Sequence, residues 1–298
     1  MIAPYREAPG RPKGPLTWRL KMGSVLVSRF GRNQHVLRSS SPLSDEQIMS
    51  VAPSIFSEAK HASRSDRYTC IPTIDVLRGL KKEGFSPFMV CQTNTRDSDK
   101  RDSAKHMIRL RHADQINASE SKEVILLNSH DGSSSYQMLA GVFRFVCSNG
   151  MVCGDVQNDV RIRHTGDVID NVIEGAFRVV EDFELVDGQM NGMKALTLND
   201  GEQAAFAREA LALKYDTELT PAPITEEQLL RPKRTADRAG DLWTTFNRIQ
   251  EGVLRGGLMG RSATGQRVTT REVKGINQNI KLNRALWVLA EEMRKLKA

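Results

Sequence analysis

The sequence predicts an α+β chain: an antiparallel β-meander packed with helices over residues 22–219, then a helical C-terminal region over residues 237–298 that carries a long basic glycine-rich loop. Three observations lead there. "SPFMVCQTN", "KHMIRLRHA" and "KEVILLNSH" are short runs rich in β-branched and large apolar residues that follow one another with turn residues between, as sequential antiparallel strands do. Apolar residues at helical spacing flank this block on both sides, and beyond residue 237 they recur only at that spacing. The chain's 298 residues, 39% hydrophobic and 27% charged, are enough to bury a real core.

The elements follow in order. Residues 1–21, rich in Pro, Gly and charge without periodicity, are expected to form a disordered basic arm. Ser44 with Gln47 three residues on makes a capping box for a first helix, which Pro53 bends or ends. Ile74, Leu77 and Leu80 mark a second helix that stops at Gly84. The three strands come next, then "GVFRFVCSNGMVCGD", where Asn149-Gly150 fits a two-residue hairpin turn. That turn sets Cys147 opposite Val152 and Val146 opposite Cys153, so the two thiols lie on opposite faces and hold neither a metal nor a disulfide. A three-residue turn would shift the pairing by one and reopen that possibility. "VQNDVRIRH" is another strand, and Ile169, Val172, Ile173, Ala176, Val180 and Phe183 form a long amphipathic stripe. Asn199 and Glu202 box the start of a further helix, and "TPAPITEEQLLRPKRT" reads as a linker over 220–236. Leu242, Phe246, Ile249 and Val253 share one helical face, as do Leu282, Leu286, Leu289 and Met293. Between these helices, residues 255–275 have five glycines, five bases and no hydrophobic period. Loops of that length are usually functional or disordered.

Charge is unevenly spread. Residues 1–38 hold eight Lys/Arg against one acid and residues 231–298 hold fifteen against six, whereas residues 113–230 hold eight against twenty acids. Basic ends around an acidic middle suit a polyanionic partner. Arg109 and Arg111 share one face of a strand, with Ile108 and Leu110 turned the other way and inward, and Arg144 extends the row on a neighbouring strand. In the loop, Arg255, Arg261, Arg267, Arg271 and Lys274 sit where backbone can follow a phosphate chain. Arg presents a bidentate fork to phosphate, and each phosphate neutralised releases counterions. Tyr68, Phe88, Tyr136 and Trp243 offer stacking platforms, although core packing is the better account of each taken alone.

Catalytic signatures are weak. His130 and Asp131 in "NSHDGSSSY" suggest a hydrolase, but a polar Gly/Ser cluster after a strand reads first as a turn. His106 and His112 share a strand face about 20 Å apart, too far to hold one ion. "GGLMGRS" lacks the Walker spacing. No cofactor, metal or membrane contact is expected. With four cysteines, no signal-like apolar segment and no apolar run near the ~18 residues of a membrane helix, a cytoplasmic setting follows.

"SRSDRYTCIPTIDVLRGLKKEGF", "LLNSHDGSSSYQM", "FRFVCSNGMVCG", "DLWTTFNRIQEGVLRGGLMGR" and "KLNRALWVLAEEM", in that order, resemble the phage/plasmid-like family, a domain of unknown function found in enterobacterial prophages and conjugative plasmids. The resemblance runs from about Met22 to the C-terminus. It implies a bacterial protein carried on mobile DNA and supplies no site residues. The element order also resembles the core of single-strand annealing recombinases of the Red-beta and Rad fifty-two type, which implies DNA in a basic groove of a homo-oligomer. The expected function is non-catalytic binding, or annealing, of nucleic acid, above all single-stranded DNA. The alternative is a protein-interaction module that modulates a host defence or regulatory protein through the acidic segment 113–230.

Overall fold

The structure, a computed structural model, describes residues 26–27, 34–58, 72–95, 98–113, 120–132, 134–145, 149–154, 159–163, 168–215, 217 and 220–297. The arm expected over 1–21, Tyr68 and Cys147 lie outside them.

Among the described residues, eight antiparallel strands make one sheet: β1 (Leu26–Val27), β2 (Gln34–Arg38), β3 (Phe85–Thr93), β4 (His106–His112), β5 (Glu120–Asn128), β6 (Tyr136–Arg144) and β7 (Asn149–Val152) in that spatial order, with β8 (Val160–Ile162) also on β6. β7 pairs with residues 141–144 of β6 and β8 with residues 136–138, so the two short strands lie end to end along one edge. The α+β class and the meander stand as the sequence predicts.

Alternation decides what each face meets. Ile108, Leu110, Val124, Leu126 and Met138 face α1 (Asp45–Val51), α2 (Thr73–Lys82) and α3 (Val168–Glu181), in one core with Ile48, Leu77, Leu80, Val172 and Ala176. The opposite face holds Met89, Cys91, Met107, Ile125, Leu127, Leu139 and Val152, with Ile276 of α8 (Ile276–Lys297) against it. Both faces are therefore covered, and residues 106–111 of β4 are all buried.

The helix signals hold. Ser44 Oγ accepts from the Gln47 backbone at 3.3 Å while Gln47 Oε1 accepts from the Ser44 backbone at 2.9 Å, and Asn199 and Glu202 repeat the box at the start of α5 (Asp200–Lys214). The stripe read through Phe183 breaks at Asp182, and α4 (Phe183–Ala195) starts there. α4, α5 and α8 with α7 (Leu242–Arg255) enclose a second core around Trp243, Phe246 and Trp287, which also takes in Val142, Met151 and Cys153 from the sheet.

Three local expectations are corrected. Asn149-Gly150 is not a turn: Arg144 pairs with Asn149 and Phe143 with Gly150, so both residues belong to β7. The pairing moves by an even number of residues, so the predicted face of Cys153, shared with Arg144 and Met151, survives. The stretch 220–236 contains α6 (Glu226–Leu230), whose Leu229 is buried in the second core, and is no free linker. The basic loop 255–275 is largely a two-stranded ribbon, β9 (Met259–Arg261) paired with β10 (Arg267–Thr269).

Candidate nucleic-acid interface

The ribbon is built from its glycines outward. α7 ends at Arg255, and Gly256 follows with φ +64°, a conformation that favours glycine. A Cβ there would stand 2.6 Å from the Thr270 carbonyl oxygen, because the two legs of the ribbon close tightly at its base. Thr270 N–H donates to the Leu258 carbonyl at 2.8 Å, and its hydroxyl accepts from the Leu258 N–H at 3.0 Å. Cross-strand pairs are Met259 with Thr269, Gly260 with Val268 and Arg261 with Arg267.

Parity then sorts the faces. Gly260 and Val268 turn inward onto Pro223, whose carbonyl accepts from the Arg261 N–H at 2.8 Å; a Cβ on Gly260 would lie 1.9 Å from that same oxygen. Gln228 Nε2 donates to the Met259 carbonyl at 2.7 Å, a second anchor along the same outer edge of β9. Met259, Arg261, Arg267 and Thr269 all face solvent, with Met259 79% exposed. Two arginines thus stand directly opposite each other across an exposed ladder. Arg271 and Lys274 continue the exposed positive charge, and among the described residues none of these four forms an ion pair. Arg261 Nη1 donates only to its own turn, at the Gly265 carbonyl. Arg255 is different: it lies 3.5 Å from Glu251. Beside the ribbon a hollow of about 490 Å³ is lined by Lys214, Tyr215, Pro221, Pro223 and Val268.

The sheet arginines sit elsewhere. Arg109 and Arg111 do share a face, but that face is covered and each is only 2% exposed, so they form no exposed basic row. Arg109 Nη1 donates to Glu123 Oε2 at 3.0 Å and to the Met151 carbonyl at 3.2 Å; Arg111 Nε donates to Glu123 Oε1 at 2.9 Å. The Arg111 guanidinium also lies 4.2 Å from the Phe88 ring centroid and 4.6 Å from that of Phe143. Arg144 is 7% exposed and donates to Asp237 at 2.9 Å. Asp237 is shared with Arg234, which forks onto Glu251 with two contacts of 2.8 Å. These three arginines pin strands and the 231–238 segment together. Of the stacking candidates, Phe88, Tyr136 and Trp243 are all core, at 1%, 0% and 3% exposure. Tyr215, which no motif singles out, is an aromatic side chain beside the ribbon.

His130 lies in the turn after β5, as expected, with Gly132 at φ +72°. Its side chain belongs to a sealed polar cluster: Thr73 Oγ1 is 3.4 Å from His130 Nε2, 2.9 Å from His106 Nε2 and 3.0 Å from Asn128 Nδ2, and Ser54 Oγ is 2.8 Å from His106 Nδ1. Ser54, Thr73, His106, Asn128 and His130 are all 0% exposed. Among the described residues no three His, Cys, Asp or Glu side chains converge as metal ligands would, and no helix is long and apolar enough to cross a membrane. Burial pushes the Cys91 thiol up to about 12, and that of Cys153 is raised by the same cause.

Residues 60–287 match the family model described as "Domain of unknown function (DUF932)", and the chain belongs to that family. It is similar to two proteins of Escherichia coli (strain K12), UPF0380 protein YfjQ, 51% identical, and UPF0380 protein YafZ, 50% identical. Each alignment spans 268 residues, 90% of this chain and 97% of the relative. No solved structure matches the chain.

Proposed function

We propose that this chain is a non-catalytic nucleic-acid-binding protein of mobile genetic elements that holds single-stranded DNA along the β9–β10 ribbon. The observation that carries this reading is the Arg261–Arg267 pair. Like charges directly opposite in a ladder destabilise it, yet here the ribbon is seated by glycines and backbone hydrogen bonds so that both guanidiniums point outward. A phosphate between them turns the repulsion into a two-pronged contact. Arg271 and Lys274 lengthen the track, and the hollow at Tyr215 has room for a base stacked on an aromatic face. Single strands fit better than duplex for that reason, and annealing on a homo-oligomer is the activity that this binding would serve in a cytoplasmic, plasmid or prophage setting.

The test is fluorescence anisotropy with labelled single- and double-stranded oligonucleotides over a salt series, comparing the natural chain with the Arg261→Ala/Arg267→Ala/Arg271→Ala variant. Affinity should fall linearly with salt on logarithmic axes, and the variant's slope should be shallower by roughly two to three. Equal slopes, or no binding to any strand form at low salt, would overturn the reading. A second reading draws on α3 and α4, where Phe177 (38% exposed) and Leu185 (55%) stand among exposed Glu174, Glu181 and Glu184. Exposed apolar side chains on helices that also expose carboxylates, one of them paired with Arg178, suit a basic host protein. Reversing those three charges would then abolish its capture while leaving DNA binding intact.

A further inference from the structure

Arg38 ends β2 in a setting that costs stability. It pairs with Met89, and Met89 with Arg109, so both arginines lie on the same sheet face with two strand spacings, about 10 Å, between their Cα atoms. The Arg38 side chain has no hydrogen bond or ion pair among the described residues, and its Nη1 is sealed from solvent without an acceptor. Arg109 has a second such atom, Nε, likewise buried and unpartnered. Glu123 is already committed, one oxygen to Arg109 and the other to Arg111. Arg255, itself 3.5 Å from Glu251, adds a further repulsion at Arg38. Burial, reinforced by the repulsion of Arg109 and Arg255, lowers the Arg38 pKa to about 10.

Such a group is expected to be paired. An unpaired buried charge is among the most unfavourable features a fold can keep, and removing it for an apolar side chain is the cheapest repair. Arg38 forfeits that repair and sits instead at the rim of the sheet face, half-buried, where Arg109 and Arg255 repel it and Glu123 alone among these charges attracts it.

We infer that Arg38 and Arg109 form a receptor for one oxyanion of the phosphate class. The planar fork of Arg38 supplies paired donors to two phosphate oxygens, Arg109 Nε gains the acceptor it lacks, and the excess charge of the cluster is neutralised. The site does not depend on the ribbon: Arg261 and Arg267 take no part in it. The anion is either free phosphate or the phosphate of a nucleotide, and the chemistry is the same for both.

The test is calorimetric unfolding of the full chain at fixed pH and ionic strength, with sodium phosphate replacing sodium chloride. Three proteins are compared: the natural chain, Arg38→Met and the ribbon variant Arg261→Ala/Arg267→Ala. Phosphate should raise the Tm of the natural chain and of the ribbon variant along a saturating curve, and should leave that of Arg38→Met at its chloride value. In chloride alone Arg38→Met should be at least as stable as the natural chain. A natural chain indifferent to phosphate, or an Arg38→Met protein that responds like it, would overturn the proposal. If Arg38→Met does not fold, Arg38→Lys retains the charge without the fork, and its half-saturating phosphate concentration should rise at least tenfold; an unchanged one also overturns it. Repeating the titration with a nucleoside monophosphate and with the bare nucleoside separates the sources. Stabilisation by the monophosphate at lower concentration than phosphate assigns the site to nucleotides, equal concentrations assign it to the free ion, and equal stabilisation by the bare nucleoside overturns the phosphate assignment. Failure of this experiment leaves the salt-slope test of the ribbon untouched, and the reverse holds as well.

Discussion

Glu123 answers two guanidiniums at once from a position 1% exposed. Changing it to Gln strips the compensating charge from Arg109 and Arg111 while preserving shape, and breaking a buried pair in this way costs about 3–5 kcal/mol. Urea denaturation should show that loss as a lower midpoint at unchanged slope; a loss below about 1 kcal/mol would mean that water already reaches the arginines. Gly150 is tied to the same cluster. A Cβ there would stand 2.7 Å from Arg109 Cζ, so the glycine that reads as a turn residue is instead the floor on which a guanidinium rests. Gly150→Ala should therefore cost about 1–3 kcal/mol by overpacking. The two described thiols make an independent check: with both pKa values raised by burial, iodoacetamide at pH 8 should modify Cys91 and Cys153 only after denaturation. Parity in the sequence identified correctly that Arg109 and Arg111 share a face. It could not say that the face is covered, because alternation tells which side chains travel together and not what lies above them. Glu123 gave no such signal, since it follows Glu120, Ser121 and Lys122 at the polar start of β5, and its partners come from the neighbouring strand.

At the level of elements, the ribbon went unread because each of its strands has three residues and only one covered position, so no alternation of apolar and polar residues can register. What holds it is contact between backbones. Gly260→Ala would place a methyl group on the Pro223 carbonyl and lift the ribbon from its seat. Trypsin should then cut at Arg261 and Arg267 at least tenfold faster than in the natural chain, with the global unfolding midpoint little changed; unaltered cleavage would show that the ribbon is already loose. α7 illustrates the other limit. Its stripe of Leu242, Phe246, Ile249 and Val253 was evident, yet every residue from Leu242 to Leu254 is buried, because α4, α5, α6 and α8 surround it. Its polar residues must therefore find partners: Gln250 donates to Asn283 at 2.7 Å, and Glu251 takes the Arg234 fork. Burial pushes the Glu251 carboxyl up, but Arg234, Lys233 and Arg255 together hold it below the ordinary carboxylate range. The stability this lends is complete above the unfolded-state value of about 4.3 and is lost as pH falls through the lower folded value. Glu251→Gln should flatten that acid limb, and at neutral pH should cost roughly 2 kcal/mol.

For the whole molecule, the capping boxes, strands and main helices were legible because each is written locally, whereas the partition into a core domain and a C-terminal region depends on contacts far apart in sequence. The second core answers that question. Met190, Phe206 and Ala210, from before residue 220, pack with Leu242, Phe246, Leu286 and Trp287, from after it, and Val142 and Met151 bring the sheet into the same cluster. Trp243 Nε1 donates to Glu120 on β5 at 2.7 Å, and Arg284 forks onto Asp159 beside β8. Cutting the chain at residue 219 would expose that apolar surface on both pieces, at about 25 cal/mol for each Å² returned to water. The described parts should therefore melt together: differential scanning calorimetry should give one transition whose calorimetric and van't Hoff enthalpies agree, and residues 22–219 alone should bind a hydrophobic dye and lose cooperative unfolding. Two resolved transitions, or a truncated chain that melts sharply at its original temperature, would restore the two-part division that the prolines and the charge reversal at 220–236 suggest. The same coupling fixes the ribbon to the sheet, since its base, Arg255, closes a helix whose far end is held by Glu120 through Trp243.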